Sequence, residues 1–274
     1  MKVNYKLGEK EISLELVGET FIGNDEVLLL QDENLIEKTS WKDTGYEIVD
    51  FLDESDFKII QLGLKEIIKG LIQKSGGNVD EKFELEKYHL YVDNEIHLKL
   101  AKLIQWGWNI KEFPIDFRKI NKRISDVIGI QVSSKAKHIE LNNFFLRIVR
   151  PQNFQDNNPP HRDVWIDRLR DAVNIYVPIC GSNSNSSLGL IPGSHLFKES
   201  EIERTSDGAI LNGTSYTVPC VISVKGKEPN LLRPDPKENQ VMLFSPYMVH
   251  GGGYNFNDDT TRMSLEVRFW KVTE

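Results

Sequence analysis

Apolar side chains recur at helical spacing through the first half of the chain and in short alternating runs through the second. Phe57, Ile60, Leu64, Ile67, Ile68 and Leu71 follow the i, i+3, i+4 rhythm of one helix face. They predict a helix capped by Ser55 and running to about Lys74, where Ser75-Gly76-Gly77 ends the pattern. Ile96, Leu100, Leu103 and Ile104 predict a second helix over roughly 93–106, and Phe117, Ile120, Ile124, Val127 and Ile128 a third between Pro114 and Gly129. Strands are expected at Gly45-Tyr46-Glu47-Ile48-Val49 and, after a Gly23-Asn24-Asp25 turn, at Glu26-Val27-Leu28-Leu29-Leu30. From about Leu141 short strands alternate with Gly, Pro, Asn and Ser, over 142–149, 172–179, 187–191, 216–224, 240–244 and 262–271. The last has a clean period of 2, so Met263, Leu265, Val267 and Phe269 should face packed helices while Arg262, Ser264, Glu266 and Arg268 face a polar interior or solvent.

Helices followed by closely spaced strands predict a mainly β fold, a sandwich or barrel with bracing helices on its outside. There is no internal repeat and no clean interdomain linker. The simplest division is a small β extension over 1–40 and one domain over 41–274, whose helices in 53–128 pack on a β core beginning near 141. Apolar residues at 39% and charged residues at 27% suit a soluble globular protein. No window approaches the roughly 18 apolar residues of a membrane span, and the polar start Met1-Lys2-Val3-Asn4-Tyr5-Lys6 shows no secretory signal. Cys180 and Cys220 stand apart with no CxxC pair, which predicts a reducing compartment, the cytoplasm by default. A net charge of -7 argues against nucleic-acid binding. Arg118, Lys119, Lys122 and Arg123 interleave with Ile120 and Ile124, as on the solvated face of an amphipathic helix. The expected partner is a small molecule rather than a nucleic acid or a membrane, and nothing in the sequence sets an oligomeric state.

The chemistry concentrates at Asn157-Asn158-Pro159-Pro160-His161-Arg162-Asp163-Val164-Trp165. In extended backbone, side chains at i and i+2 leave the same face, so His161 and Asp163 would converge on one point. The best third ligand is His250, 89 residues later and just before Gly251-Gly252-Gly253. Two histidines and a carboxylate on one face of an octahedron hold Fe(II) in non-heme oxygenases and leave three positions open for co-substrate and oxygen. The pair alone is a weak signal; its context strengthens it.

Four features in order carry a family resemblance: Gly45-Tyr46-Glu47-Ile48-Val49-Asp50-Phe51 before a long helix; His161-Arg162-Asp163; Leu190-Ile191-Pro192-Gly193-Ser194-His195; and His250-Gly251 followed by Arg262 and Ser264. Over about 41–270 the chain resembles the Fe(II)/2-oxoglutarate-dependent oxygenase superfamily, and within it the phytanoyl-CoA dioxygenase group. The resemblance implies a double-stranded β-helix, the cupin-like jelly roll, with an α-rich N-terminal part. It implies iron ligation by His161, Asp163 and His250, and a salt bridge from Arg262 to the distal carboxylate of 2-oxoglutarate, with Arg268 as the alternative cation. Guanidinium suits that task because its planar fork matches a carboxylate. Ser264, on the same strand face, could add a hydroxyl donor. The implied reaction uses O2 and 2-oxoglutarate to hydroxylate an aliphatic carbon, releasing succinate and carbon dioxide. Related halogenases replace the carboxylate ligand with a small residue, so Asp163 favours oxidation over halogenation.

Trp165, Asn174, Tyr176 and Arg147 are candidates for the substrate pocket, Arg147 for an anionic group. His195 is expected to brace a tight turn outside the metal sphere, His97 to pack or face solvent, and His89 and His138 have no supporting partner in sequence. Segments 180–187 and 199–215, rich in polar residues, are candidates for a lid. Two other functions remain open: a non-catalytic jelly-roll binding module, such as a sugar-binding one, and a cupin-type metalloenzyme that does not use 2-oxoglutarate. A complete metal triad disfavours the first, and Arg262 the second.

Overall fold

The computed structural model describes residues 1–107, 110–135, 144–166 and 169–272. Its chain opens with strands β1 (Lys2–Leu7), β2 (Lys10–Val17) and β3 (Thr20–Ile22), a single helical turn α1 (Glu26–Leu29) and strand β4 (Tyr46–Asp50). Helices α2 (Glu54–Lys74), α3 (Asn94–Gly107) and α4 (Arg118–Ile128) come next. The remaining strands are β5 (Val132–Ser133), β6 (Phe145–Val149), β7 (Ala172–Cys180), β8 (Gly189–Leu190), β9 (Ile202–Thr205), β10 (Ala209–Leu211), β11 (Thr214–Tyr216) and β12 (Val221–Val224). They continue as β13 (Asn230–Leu231), β14 (Gln240–Phe244), β15 (His250–Gly251) and β16 (Arg262–Lys271). The fold is mainly β with a few helices. No described helix is long and apolar enough to cross a membrane.

The major sheet is antiparallel in the order β4-β14-β7-β16-β5, with β6 also pairing with β16. One of its faces is sealed by helices. On α2, Phe57, Ile60, Leu64, Ile68 and Leu71 are buried at helical spacing, and on α4 Ile120, Ile124 and Ile128. They pack against Val173, Ile175, Val177 and Ile179 of β7 and Met263, Leu265, Val267 and Phe269 of β16, the latter set as the period of 2 predicts. Each such fully buried aliphatic side chain contributes about 1.5–3 kcal/mol. Asp53, rather than Ser55, caps α2: its carboxylate accepts from the Asp56 amide at 2.8 Å while Ser55 donates to the same oxygen. The basic residues of α4 turn outward to local partners, Lys119 to Asp56, Lys122 to Asp126 and Arg123 to the Asp50 and Phe51 carbonyls.

The opposite face of the major sheet looks toward smaller sheets. These are β11-β10-β2-β1-β13, β12-β9-β3 and β15-β8. The first forty residues are woven into them, since β1 pairs with β13, β2 with β10 and β3 with β9, and Val3, Tyr5 and Leu7 are buried. Two local expectations fail here. Residues 26–30 form a helical turn, not a strand, because Asn24 Oδ1 accepts from the Glu26 amide and the Asp25 carbonyl from Leu28, which winds the backbone. Segment 199–215 is no lid, because it carries β9, β10 and the start of β11 and its Glu199 is fully buried; in 181–187, Ser186 and Ser187 are buried as well. The strand expected from 142 is described from Phe145; 142–143 and His138 lie outside the described residues.

A buried polar network ties α3 to the segment entering the site. Tyr88 Oη lies 3.0 Å from His97 Nδ1, His97 Nε2 lies 3.3 Å from Asp156 Oδ1, and Arg150 grips both oxygens of Asp156 at 2.8 Å. Burial alone would raise the Asp156 carboxyl, but hydrogen bonds from Arg150 and His97 hold it at about 2. A carboxyl depressed from 3.8 to about 2 contributes stability above pH 3.8 that disappears as pH falls toward 2, about 2 kcal/mol in all. Urea unfolding of wild type and Asp156→Asn between pH 5 and pH 2 should show the gap between them narrowing by that amount. A gap independent of pH would contradict this account.

Candidate metal centre

A short antiparallel bridge sets the two histidines side by side. The His161 amide donates to the His250 carbonyl at 2.8 Å and the His250 amide returns the bond at 3.0 Å, leaving the ring centroids 4.5 Å apart. Arg162 is extended, at φ -112 and ψ 138, so Asp163 leaves on the same side as His161 before the backbone turns into a 3-10 turn at Asp163–Trp165. The pairing expected of a strand therefore arises from a single bridge residue followed by a turn. Gly251 sits at φ +117, and a Cβ there would lie 2.6 Å from the Pro159 carbonyl and 3.1 Å from His161 Nδ1. Only glycine lets the two ligand segments approach this closely.

The ligand atoms are sorted by their other hydrogen bonds. His161 Nδ1 donates to the Pro159 carbonyl at 2.8 Å and His250 Nδ1 to the Met248 carbonyl at 2.9 Å, which turns both Nε2 lone pairs inward. Asp163 commits Oδ2 to Asn174 Nδ2 at 3.0 Å and to Arg268 Nε and Nη2 at 3.1 and 2.9 Å. Its Oδ1 then lies 3.3 Å from His161 Nε2 and 3.7 Å from His250 Nε2. Neighbouring ligands about 2.1 Å from a shared ion lie roughly 3.0–3.4 Å apart. Three electron-pair donors within 4.8 Å of one another, all buried, thus form an arrangement that a divalent cation satisfies.

Electrostatics keep these groups in ligating form. Burial would raise the Asp163 carboxyl, but the Arg268 guanidinium together with the His161 and His250 imidazoles outweighs it and holds the group well below the usual carboxylate range. Burial, reinforced by neighbouring His161, pushes His250 down to about 4, so it is neutral at pH 7. Arg262 is 1% exposed, donates from Nη1 to Ser264 Oγ at 2.9 Å and from Nη2 to the Gly253 carbonyl at 3.2 Å, and leaves Nε–H without a partner. No described carboxylate hydrogen-bonds to it. A Cβ on Gly253 would lie 3.0 Å from that Nη2, so the glycine run serves the arginine as well as the ligand bridge.

No family model and no curated protein matches the chain. Among solved structures it is similar to EctD from S. alaskensis in its apoform, with 14% identity over 94% of this chain and 84% of that one and a TM-score of 0.44. EvdMO1 is 16% identical over 85% of this chain and 48% of that one, with a TM-score of 0.45. The non-heme alpha ketoglutarate dependent epimerase SnoN from nogalamycin biosynthesis is 13% identical over 85% and 80%, with a TM-score of 0.41. All three are remote, and the chemistry of the site rests on its own residues.

The cleft beside the three ligands is lined by Arg147, Asn157, Leu188, Phe244, Arg262, Glu266 and Arg268 among others. Of the candidate substrate residues, Arg147 and Asn174 line this cleft. Asn174 is taken up by Asp163. Tyr176 is fully buried, with its hydroxyl 2.9 Å from Ser182 Oγ and its ring 5.8 Å beneath the Arg262 guanidinium. Trp165 turns away: its Nε1 donates to Glu199 at 3.0 Å and Arg204 stacks on its ring, so it belongs to the buried Arg162–Glu199 cluster behind the ligand segment. His195 donates from Nε2 to the Lys42 carbonyl and stands outside the ligand cluster. His89 lies 3.0 Å from Thr261 Oγ1. The partner that sequence reasoning missed is Arg268 on Asp163. Its polar parity on β16 was visible in the sequence, whereas its register directly opposite Asn174 emerges only with the sheet.

Proposed function

We propose that the chain is an Fe(II)- and 2-oxoglutarate-dependent oxygenase of the phytanoyl-CoA dioxygenase type, which hydroxylates an aliphatic carbon of a small-molecule metabolite. On this reading residues 41–274 are the oxygenase unit, laid out as a double-stranded β-helix, and residues 1–40 add strands to its smaller sheets. The observation that carries it is the convergence of two imidazole Nε2 atoms and one carboxylate oxygen, each with its second polar atom engaged elsewhere. Such a set leaves one face of an octahedral ion open. Buried Arg262, in the cleft wall with no described carboxylate hydrogen-bonded to it, supports a carboxylate-bearing co-substrate and disfavours a metalloenzyme without 2-oxoglutarate, while the ligand set disfavours a metal-free binding module.

His161, Asp163 and His250 would hold the iron, and Arg262 with Ser264 the far carboxylate of 2-oxoglutarate. Bound together with O2, these supply a strong oxidant at the cost of converting 2-oxoglutarate to succinate and carbon dioxide. The protein's own part is positional. Arg268 and Asn174 fix the Asp163 carboxylate so that one oxygen points at the metal. Leu188 and Phe244 line the cleft with apolar surface that limits water near the reacting centre. Adding Fe(II) and 2-oxoglutarate without oxygen should produce a visible charge-transfer absorption, and admitting air should yield succinate. Absence of that band in the wild-type protein would end this reading.

A further inference from the structure

The cleft carries a charge excess that the proposed chemistry does not use. Its walls hold three guanidinium groups, Arg147, Arg262 and Arg268, against two carboxylates, Glu266 and the ligand Asp163. A divalent iron and a doubly negative 2-oxoglutarate cancel each other, so one positive charge is left over once both are bound. Arg233, a further buried cation coupled to Arg262, lies outside the cleft lining and supplies no negative charge to it.

The three guanidinium groups are unequally engaged. Arg268 gives two hydrogen bonds to Asp163, and Arg262 is anchored on Ser264 and Gly253. Arg147 has, among the described residues, one ion-pair contact, 3.4 Å from Nη2 to Glu266 Oε2, and its side chain is 30% exposed. Register explains the looseness. On the paired strands Arg147 stands opposite Ser264, and Glu266 opposite Phe145, so the two charges meet on a diagonal of the face that lines the cleft. Glu266 stays ionised there: burial would raise it, but Arg147, Arg262 and Arg268 together bring it below its ordinary value.

We propose that Arg147 anchors a carboxylate of the substrate, which makes the substrate class a small metabolite bearing a single negative charge. Glu266 is the counterion that holds Arg147 until the substrate arrives. The planar fork of Arg147 keeps donors free for a bidentate carboxylate, which a neutral amide cannot match. This inference rests on the oxygenase reading for the placement of the metal and of 2-oxoglutarate.

The test uses the whole chain loaded with Mn(II) in place of Fe(II) and saturated with 2-oxoglutarate, with propionate and benzoate as probes and their amides as controls. Paramagnetic relaxation of the probe protons reports binding close to the metal. Both carboxylates should give saturable enhancement and both amides none. Arg147→Gln should weaken carboxylate binding by about tenfold or more, the scale of losing a charged hydrogen-bonding group. Glu266→Gln, which frees Arg147 from its counterion, should strengthen it, a change that a purely structural role would not produce. Equal binding of amides, indifference to Arg147→Gln, absence of saturable enhancement, or displacement of the probes by further 2-oxoglutarate would each overturn the proposal. Calorimetric titration of 2-oxoglutarate into the Mn(II) protein reads the oxygenase assignment separately. No 2-oxoglutarate binding there defeats that assignment and the inference built on it, whereas normal binding with a failed probe experiment defeats only the role of Arg147.

Discussion

Replacing Asp163 with alanine is expected to abolish Fe(II) binding, and with it the charge-transfer band and succinate formation. The substitution removes the one oxygen aimed at both His161 and His250 Nε2. It also leaves Arg268 without the carboxylate that takes two of its hydrogen bonds. Loss of metal affinity should therefore exceed the roughly 10- to 100-fold that follows removal of an outer-sphere partner. Arg268→Ala supplies that smaller effect for comparison, since Asn174 still holds Oδ2. Metal titrations of both variants, with circular dichroism to confirm folding, check the ordering. Retention of tight Fe(II) binding by Asp163→Ala would show that the ion is held elsewhere.

Arg262→Leu is expected to weaken 2-oxoglutarate binding by about a hundredfold or more, because two charge-assisted hydrogen bonds contribute about 3 kcal/mol or more together. Arg262→Lys should recover only part of this, since an ammonium cannot reproduce the fork. Arg262 also anchors the Gly253 carbonyl, three residues beyond His250, so some loss could arise from loosening that turn. Measuring Fe(II) affinity without 2-oxoglutarate separates the two effects. The anchor role predicts nearly unchanged metal affinity with impaired 2-oxoglutarate binding, and the reverse pattern would refute it.

The parts of this architecture that sequence made visible are those encoded by local period. The alternation in β16 assigned the side chains from Arg262 to Phe269 to the correct faces, and the helical stripes on α2 and α4 marked the layer that covers the sheet. The pairing of His161 with Asp163 was also legible, because one extended residue between them suffices. What local pattern could not reveal was partnership across the chain. Trp165 looked like a pocket residue until the fold gave it to Glu199, and Asn174, which does line the cleft, also holds Asp163. His97 had no visible partner because Asp156 lies far along the chain and reaches it only once α3 docks. At 26–30 the apolar run suited a strand, but short side-chain and backbone hydrogen bonds near Asn24 and Asp25 decided for a helical turn.

On β16 the groups that bear on metal, co-substrate and substrate occupy every second position, Arg268, Glu266, Ser264 and Arg262, while the intervening residues are the floor of the helix layer. Chemistry and cohesion are thus written on opposite sides of the same stretch from Arg262 to Phe269. Inserting or deleting one residue within this strand would turn the charged side chains into the apolar layer and the apolar ones into the cleft. Evolution and engineering can exchange individual side chains here, but the length of the strand cannot change without losing both the site and its support.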